Sequence, residues 1–298
     1  WAKVRKRRYL RGNTELLGHR FDYTADPRRI LVGNLIVVVL FLGYALFGAV
    51  YPPLRLLALG LGVIFLPWII VRSLAFNAHN TVWRGLRFRF HSSLSAADMT
   101  YLLKPLLIPL SLGLYYPAWA RDAAEFRISR HRFGTAYFRF NTSAAPFYRA
   151  YLGAAGIVFI GGFFGGLLQM HARDHAPAGT HVLLSILLSA TALFVAKHYV
   201  FAELFNRMWN ATRLDDHRFK ANLCSSRWLG LQITNLGAIV VSCGLLYPWT
   251  VVRTTRYALS CLEFVPAGSL DAIARMGRSS GSAIGETAAE FAGFDFGL

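Results

Sequence analysis

The residues best placed to do chemistry are polar side chains inside long apolar runs. Lys104 lies near the middle of a run at 101–119, and Asn235 lies 131 positions later in a run at 228–252. Asn34 lies just inside an earlier apolar run. A charged or amide side chain at membrane depth is costly and usually serves a substrate, an ion or a proton pathway. These three residues form a candidate intramembrane polar site.

A second set of candidates alternates with aromatic side chains. The segments 19–23, 86–90, 136–140 and 217–220 show this alternation, which predicts short paired strands with one buried face. Guanidinium groups match phosphate oxygens, so the strands predict contacts with anionic lipid headgroups. A solvated face whose charge serves only membrane topology is the alternative. The arginines are Arg20, Arg87, Arg139 and Arg218, and Phe21, Phe88, Phe138 and Phe219 are expected on the opposite, apolar face.

Some residue types that could bind metal or catalyse a reaction are present, but their spacing does not favour a site. His171 and His175 lie one helical turn apart with His181 nearby, which suits zinc, but a polar loop that caps a hairpin explains them better. The chain has no His-Glu-x-x-His, Gly-x-Ser-x-Gly or Walker-type pattern, and its three Cys show no metal spacing. The sequence therefore predicts no metal site, no cofactor and no enzymatic activity.

The composition is that of a membrane protein with basic loops. Hydrophobic residues make up 55% of the chain, the mean hydropathy is +0.39 and the formal net charge is +17. Such a chain is too apolar for an ordinary soluble domain. Its arginines flank apolar runs, which predicts contact with the lipid bilayer and its anionic face and argues against nucleic-acid binding.

The chain is internally repeated. The block at 13–21 recurs at 80–88, where Asn, Thr, Gly, Arg and Phe keep their places, and again at 211–219. Long apolar runs separate the copies, as in a membrane protein built from repeated hairpins. The residues from Trp1 onward match those from Trp249 onward, so the sequence predicts a further apolar helix before Trp1.

The apolar runs are of two kinds. Those at 30–71 and 151–201 each predict a hairpin with two arms of about 20 residues, enough to cross a membrane. Those at 101–119 and 228–252 are shorter and interrupted. Nearly all Lys and Arg lie between the runs, so the positive-inside rule places these polar segments in the cytoplasm. Both shorter runs must then enter and leave on one side as re-entrant or interfacial helices; ordinary spans with an imperfect charge bias are the alternative.

The predicted fold is a mainly α, polytopic membrane protein. It has repeated helical hairpins, short broken or re-entrant helices, and short cytoplasmic β-strands. The first repeat is expected at 1–119, the second at 120–252 and a cytoplasmic tail at 253–298. Lys104 and Asn235 are expected to face the protein interior, with Lys104 paired to a backbone carbonyl freed by Pro105 or Pro109.

Several long motifs, in the same order, resemble the YjgN-like family of bacterial inner-membrane proteins. They include the stretches 1–5, 80–88 and 209–214 and the final Phe296-Gly297-Leu298. The resemblance covers essentially the whole chain and implies an inner-membrane location. It implies no agreed activity or catalytic residue, because the family is a domain of unknown function. It also implies a hydrophobic helix just before Trp1 and, from gene setting, partnership with a membrane zinc metallopeptidase.

Two functions remain open on the sequence. A transporter or channel for a small solute, ion or lipid is favoured by interrupted apolar segments at equivalent repeat positions, which indicate a midplane site. Lys104 and Asn235 would line that site. The alternative is a non-catalytic scaffold or partner subunit of another membrane protein, such as a metallopeptidase.

Overall fold

The computed structural model describes residues 2–27, 52–172 and 179–268, with single positions 35, 38 and 44. These residues group into two compact units. The first runs to Phe140 and includes Leu214–His217, and the second contains Asn141–Arg213 and Arg218–Val265. Most of the predicted arm at 30–50, with Asn34, lies outside the described residues, as do His175 and the tail beyond position 268.

One arrangement repeats in both units: a strand leads into a helical segment, which returns to the next strand. A backbone hydrogen bond, here named the closing bond, joins the two ends of each segment. The amide donors and carbonyl acceptors are Thr24 to Asn80 at 3.0 Å, His91 to Arg130 at 3.0 Å, Asn141 to Ala211 at 3.2 Å, and Asn222 to Cys261 at 2.9 Å. Because both ends meet at one bond, each segment leaves and returns at the same place.

The long hairpins contain helices of membrane-spanning length. They are α2 (Pro52–His79), which returns to the first closing bond, and the pair α6 (Ala145–Ala172) and α7 (Thr180–Ala211). In the described part of the chain, three helices are long and apolar enough to cross a membrane. At 1.5 Å per residue they measure roughly 42–48 Å, more than the ~30 Å hydrocarbon layer. A shorter helix, α1 (Ala2–Gly12), precedes the first strand.

Glycine lets α6 and α7 approach closely at the glycine-rich run 161–166. A Cβ added at Gly161 would lie 2.3 Å from the Cβ of Ala192, whereas one added at Gly162 would meet nothing within 4 Å. Only one side of this glycine run therefore faces α7. Close backbone approach through small residues is the usual means of packing helices in lipid, where no hydrophobic effect drives association.

The short hairpins have two antiparallel arms each, so the runs at 101–119 and 228–252 are not single broken helices. In the first unit the arms are a helical run at 94–110 and α5 (Tyr116–Ser129). The run consists of α3 (Leu94–Asp98), a π-helical turn Met99–Leu103, a 3-10 turn Lys104–Leu106 and α4 (Leu107–Leu110). In the second unit the arms are α8 (Ser225–Val241) and α9 (Tyr247–Ser260).

The reversal between the arms satisfies its own backbone. In the first hairpin every N–H from Ser111 to Tyr116 donates a hydrogen bond, including that of Tyr115 to the Ser111 hydroxyl at 2.9 Å. The second tip repeats this pattern from Ser242 to Tyr247. Irregular backbone is tolerated in hydrocarbon only when its polar groups are paired. The backbone N–H groups of both tips meet that condition.

The strands pair into antiparallel hairpins. The strands of the first unit are β1 (Glu15–Leu16), β2 (His19–Tyr23), β3 (Thr81–Trp83), β4 (Leu86–Phe90), β5 (His131–Phe133) and β6 (Ala136–Phe140), paired antiparallel in this order. After β7 (Thr212–Leu214), β8 (His217–Ala221) pairs with β9 (Leu262–Val265). Two-residue turns with positive φ at both positions connect β1 to β2 (Leu17 50°, Gly18 77°) and β3 to β4 (Arg84 53°, Gly85 77°). Such turns match the twist of the flanking strands.

The predicted two faces of these strands are confirmed. Phe21, Phe88, Phe138 and Phe219 are half-buried, whereas Arg20, Arg87, Arg139 and Arg218 are exposed. On the apolar face of the first unit, the ring of Phe88 lies 4.9 Å from that of Phe133 and 6.4 Å from those of Phe21 and Phe138. In the second unit the ring of Phe219 lies 5.2 Å from that of Phe264.

Candidate functional site

Lys104 lies inside the first short hairpin and makes an ion pair across its two arms. The π-helical turn ends at Leu103, immediately before Lys104, and the proline at position 105 cannot donate an N–H to a regular helical ladder. The Lys104 Nζ pairs with Oδ2 of Asp122 on α5. The expected carbonyl partner was therefore wrong, because a carboxylate on the facing arm lies within reach.

Further charges continue this pair along α5. Arg121 donates to Oδ1 of Asp122 at 3.0 Å and to Oε2 of Glu125 at 2.6 Å. The group therefore contains two cations and two carboxylates. Its charges balance, so the hairpin can hold it near lipid more cheaply than an isolated ion.

Asn235 occupies the equivalent place in the second short hairpin and is buried, with 3% of its surface exposed. Its Oδ1 accepts from the Arg253 guanidinium at 3.0 Å, and its Nδ2 donates to the Thr254 hydroxyl at 2.9 Å. Arg253 also donates to the Thr234 hydroxyl at 2.9 Å. Unlike the first group, this one contains a cation, Arg253, that donates to neutral oxygens.

The predicted site residues therefore fall into separate local groups. Lys104 belongs to the first unit and Asn235 to the second, and each faces the other arm of its own hairpin. Their partners Asp122 and Arg253 were missed by the sequence analysis. Both partners follow 18 residues after the predicted residue, so the shared spacing was the available signal.

The strand arginines lie on the exposed face of the sheet, and two that were not singled out join them. Arg89 on β4 is directly opposite Arg132 on β5. Like charges at directly opposite positions repel each other. In the described ranges, neither Arg89 nor Arg139 makes an ion pair, so the face keeps its positive charge.

The candidate metal ligands do not assemble into a site within the described residues. No group of three or more His, Cys, Asp or Glu side chains that could hold a metal ion occurs there. His171 lies in the last turn of α6, and His175 lies outside the described residues. The prediction of no metal site is untested at that connection.

Helical hairpins of membrane-spanning length, apolar reversals and an arginine-rich sheet define a membrane protein built from repeats. The chain belongs to the family described as bacterial protein of unknown function (DUF898), which it matches over residues 1–291.

Two curated relatives confirm the resemblance noted from the sequence motifs. The chain is 27% identical over 113 residues to inner membrane protein YjgN of Salmonella typhimurium, and 26% identical over 117 residues to inner membrane protein YjgN of Escherichia coli O157:H7. The matches cover 38% and 39% of this chain and 29% of each relative's length. No solved structure gives a significant match.

Proposed function

We propose that this protein transports a small solute, ion or lipid across the bacterial inner membrane, and that the polar groups of its short hairpins line the path. The observation that carries this proposal is the cross-arm polar pair at the same place in both hairpins: Lys104 with Asp122, and Asn235 with Arg253. Polar residues within interrupted membrane helices cost stability and mark transport sites.

The lengths of the hairpins support this placement. Asp122 and Arg253 each lie eight residues before the carbonyl of a closing bond, or roughly 12 Å along the helix. The position equivalent to Asp122 in α2 is Arg72, and the 20 residues from Pro52 to Arg72 span about 30 Å, the thickness of the hydrocarbon layer. The polar pairs would therefore lie at the edge of the hydrocarbon.

The short hairpins extend only partway beyond that edge. In α8, the 11 residues from the equivalent position 230 to Val241 span roughly 17 Å, about half of the hydrocarbon layer. Their tips expose large apolar side chains, with Leu112 93% exposed and Leu245 84% exposed. Each half-length hairpin would leave a thinned barrier next to its own polar group, which suits a channel-like path.

A flux assay with a charge-swap variant tests this proposal. Purified protein is reconstituted into vesicles loaded with potassium chloride, and potassium, chloride and proton fluxes are followed with electrodes and an entrapped pH dye. We expect flux above that of protein-free vesicles, and its loss in Lys104→Met. Because Asp122 keeps Arg121 as a partner, that variant should retain its stability in detergent.

The matched control is the double variant Lys104→Asp/Asp122→Lys, which restores the ion pair with its polarity reversed. A transport role predicts unchanged stability but altered flux. If the swapped protein matches the wild type in every flux, or if Lys104→Met changes stability alone, the pair is structural and this proposal is wrong.

A partner subunit is the second candidate, and one surface of the long hairpin favours it. A shallow groove on α6 and α7 is lined by Gly162, Gly166, Gln169, Ser185 and Ser189, and Gly162 and Gly166 are open to their surroundings. Small and polar residues at lipid depth suit a further transmembrane helix. Replacing Gly166 with Leu should then abolish co-purification of a membrane protein while leaving ion flux unchanged.

A further inference from the structure

Two helices carry the same tryptophan–arginine pair at the same distance from a closing bond. In α2 the guanidinium of Arg72 lies 5.6 Å from the ring centroid of Trp68, and in α9 that of Arg253 lies 5.1 Å from Trp249. Each arginine follows its tryptophan by four residues and lies eight residues before Asn80 or Cys261. One pair belongs to each unit.

Both guanidinium groups keep an uncompensated positive charge within the described residues. Arg72 is exposed and forms no ion pair there. Arg253 donates to the neutral oxygens of Thr234 and Asn235, which fix its direction and leave further N–H groups unused. At the equivalent position the other two hairpins carry carboxylates instead, Asp122 and Glu203.

Depth distinguishes these two arginines from the strand arginines. Arg72 and Arg253 lie at the expected edge of the hydrocarbon, where phosphate groups begin, and tryptophan is enriched at this level of membrane proteins. Among the strand arginines, Arg87 lies beside the end of α2, where its Nη1 is 2.9 Å from Nε2 of His79, about 11 Å of helix past Arg72. A headgroup layer is only about 5–8 Å thick, so the sheet would stand clear of it.

We propose that Arg72 and Arg253 each bind the phosphate group of an anionic phospholipid, one in each unit. The guanidinium fork supplies charge-assisted hydrogen bonds to phosphate oxygens, and the tryptophan ring holds the fork in place through its π-face. The lipid's acyl chains would lie along the exposed apolar surfaces of the same helices. This inference goes beyond transport, since lipid binding is measured without any flux.

Native mass spectrometry of the full chain in detergent tests the inference, with phosphatidylglycerol and phosphatidylcholine added separately. We expect the affinity for phosphatidylglycerol to fall by at least about tenfold at one site in Arg72→Gln and at the other site in Arg253→Gln. Each variant loses the charge-assisted bonds of its own site. The matched control is Arg87→Gln/Arg218→Gln on the strands, which should bind as the wild type does. Arg72 is exposed, so its variant should fold even where Arg253→Gln does not.

Three outcomes would overturn the inference. Loss of phosphatidylglycerol in the strand variant with none in Arg72→Gln would transfer the site to the sheet. Equal retention of phosphatidylcholine would show apolar contact alone. Displacement of the lipid by inorganic phosphate at equal concentration would identify an anion site that does not recognise lipid.

Discussion

The imidazole ring of His131, a titratable group, packs in the sheet among aromatic rings. Its ring lies 5.0 Å from that of Phe90 and 6.5 Å from that of Phe138, and its Nδ1 faces the carbonyl of Arg127 at 2.6 Å. Burial lowers the pKa of His131 below its ordinary value, and the carbonyl hydrogen bond only partly offsets this. The neutral ring is therefore the form that the folded sheet accepts.

Acidification is expected to destabilise the protein through His131. The unfolded chain takes up this proton near pH 6.5, whereas the folded chain resists it until lower pH. The contribution of His131 to the free energy of unfolding is therefore fully present above about pH 7 and declines as the pH falls through 6.5. Thermal unfolding in detergent between pH 8 and pH 5.5 measures the decline, and His131→Phe should flatten it. An unchanged pH dependence in that variant would contradict this assignment.

The sequence identified only one residue of each polar pair. Lys104 and Asn235 stood out because polar residues are rare in apolar runs. Asp122 and Arg253 did not, because each lies just past the apolar run and was counted with the basic segments. Asp122 comes opposite its partner only through the chain reversal at Leu112 and Gly113, and Arg253 only through that at Cys243 and Gly244. The positive φ angles there, 50° and 88° in the first tip and 49° and 89° in the second, are not evident from the positions of the prolines.

The hairpin tips expose large apolar side chains, and a serine in each tip completes the hydrogen bonding of the reversal. The Ser111 hydroxyl donates to the carbonyl of Ile108 and accepts from the amide of Tyr115, and Ser242 does the same for Ile239 and Leu246. Removing the hydroxyl would leave an amide N–H unpaired where water is scarce.

Ser111→Ala is therefore expected to lower the free energy of unfolding by about 1–3 kcal/mol, the usual cost of an unsatisfied buried donor. Unfolding in mixed detergent micelles measures this. Leu112→Ala is the control, because that side chain is 93% exposed and makes few contacts to lose. Equal stability of the two variants would show that the Tyr115 amide finds another partner.

The long hairpin offers a second matched pair of substitutions. Gly161→Ala would place its new methyl 2.3 Å from the Cβ of Ala192, so the helices must separate, at a cost of about 1–3 kcal/mol. Gly162→Ala meets nothing within 4 Å and should be neutral or slightly stabilising. Detergent melting temperatures of the two variants test the packing, which is incorrect if both shift equally.

Strand length explains which sheet elements were predictable. The five-residue strands β2, β4 and β6 show a clear period of two and were predicted with their observed bounds. Their three-residue partners β3 and β5 are too short to show a period. They become strands because a tight turn returns the chain beside its neighbour, which is a tertiary effect.

In the whole molecule, the two hairpin lengths explain how all the basic segments can lie on one side of the membrane. If both arms of every hairpin return to a closing bond, the basic segments between hairpins stay on one side. The long arms would then cross the bilayer and the short arms would stop near its middle. The positive-inside rule then assigns the sheet to the cytoplasm. This topology is a prediction.

Native cysteines can test that topology without engineering the hairpins. Cys224 is exposed two residues after the closing bond at Asn222, and hydrogen bonding with the Ser226 hydroxyl lowers the pKa of its thiol, which increases its reactivity. Cys243 is exposed at the tip of the second short hairpin. The two thiols thus lie at opposite ends of one hairpin.

We expect a membrane-impermeant maleimide to label Cys224 only after the cytoplasmic face is opened, and Cys243 from neither face. A lipid-soluble maleimide should reach Cys243, since a tip near the bilayer midplane contacts acyl chains. A cysteine introduced at Gly179, at the far end of the long hairpin, should react from outside, whereas one at Thr142 should not. If the impermeant reagent labels Cys243 from outside, the tip of the short hairpin reaches the far side of the membrane, and its placement near the bilayer midplane is wrong.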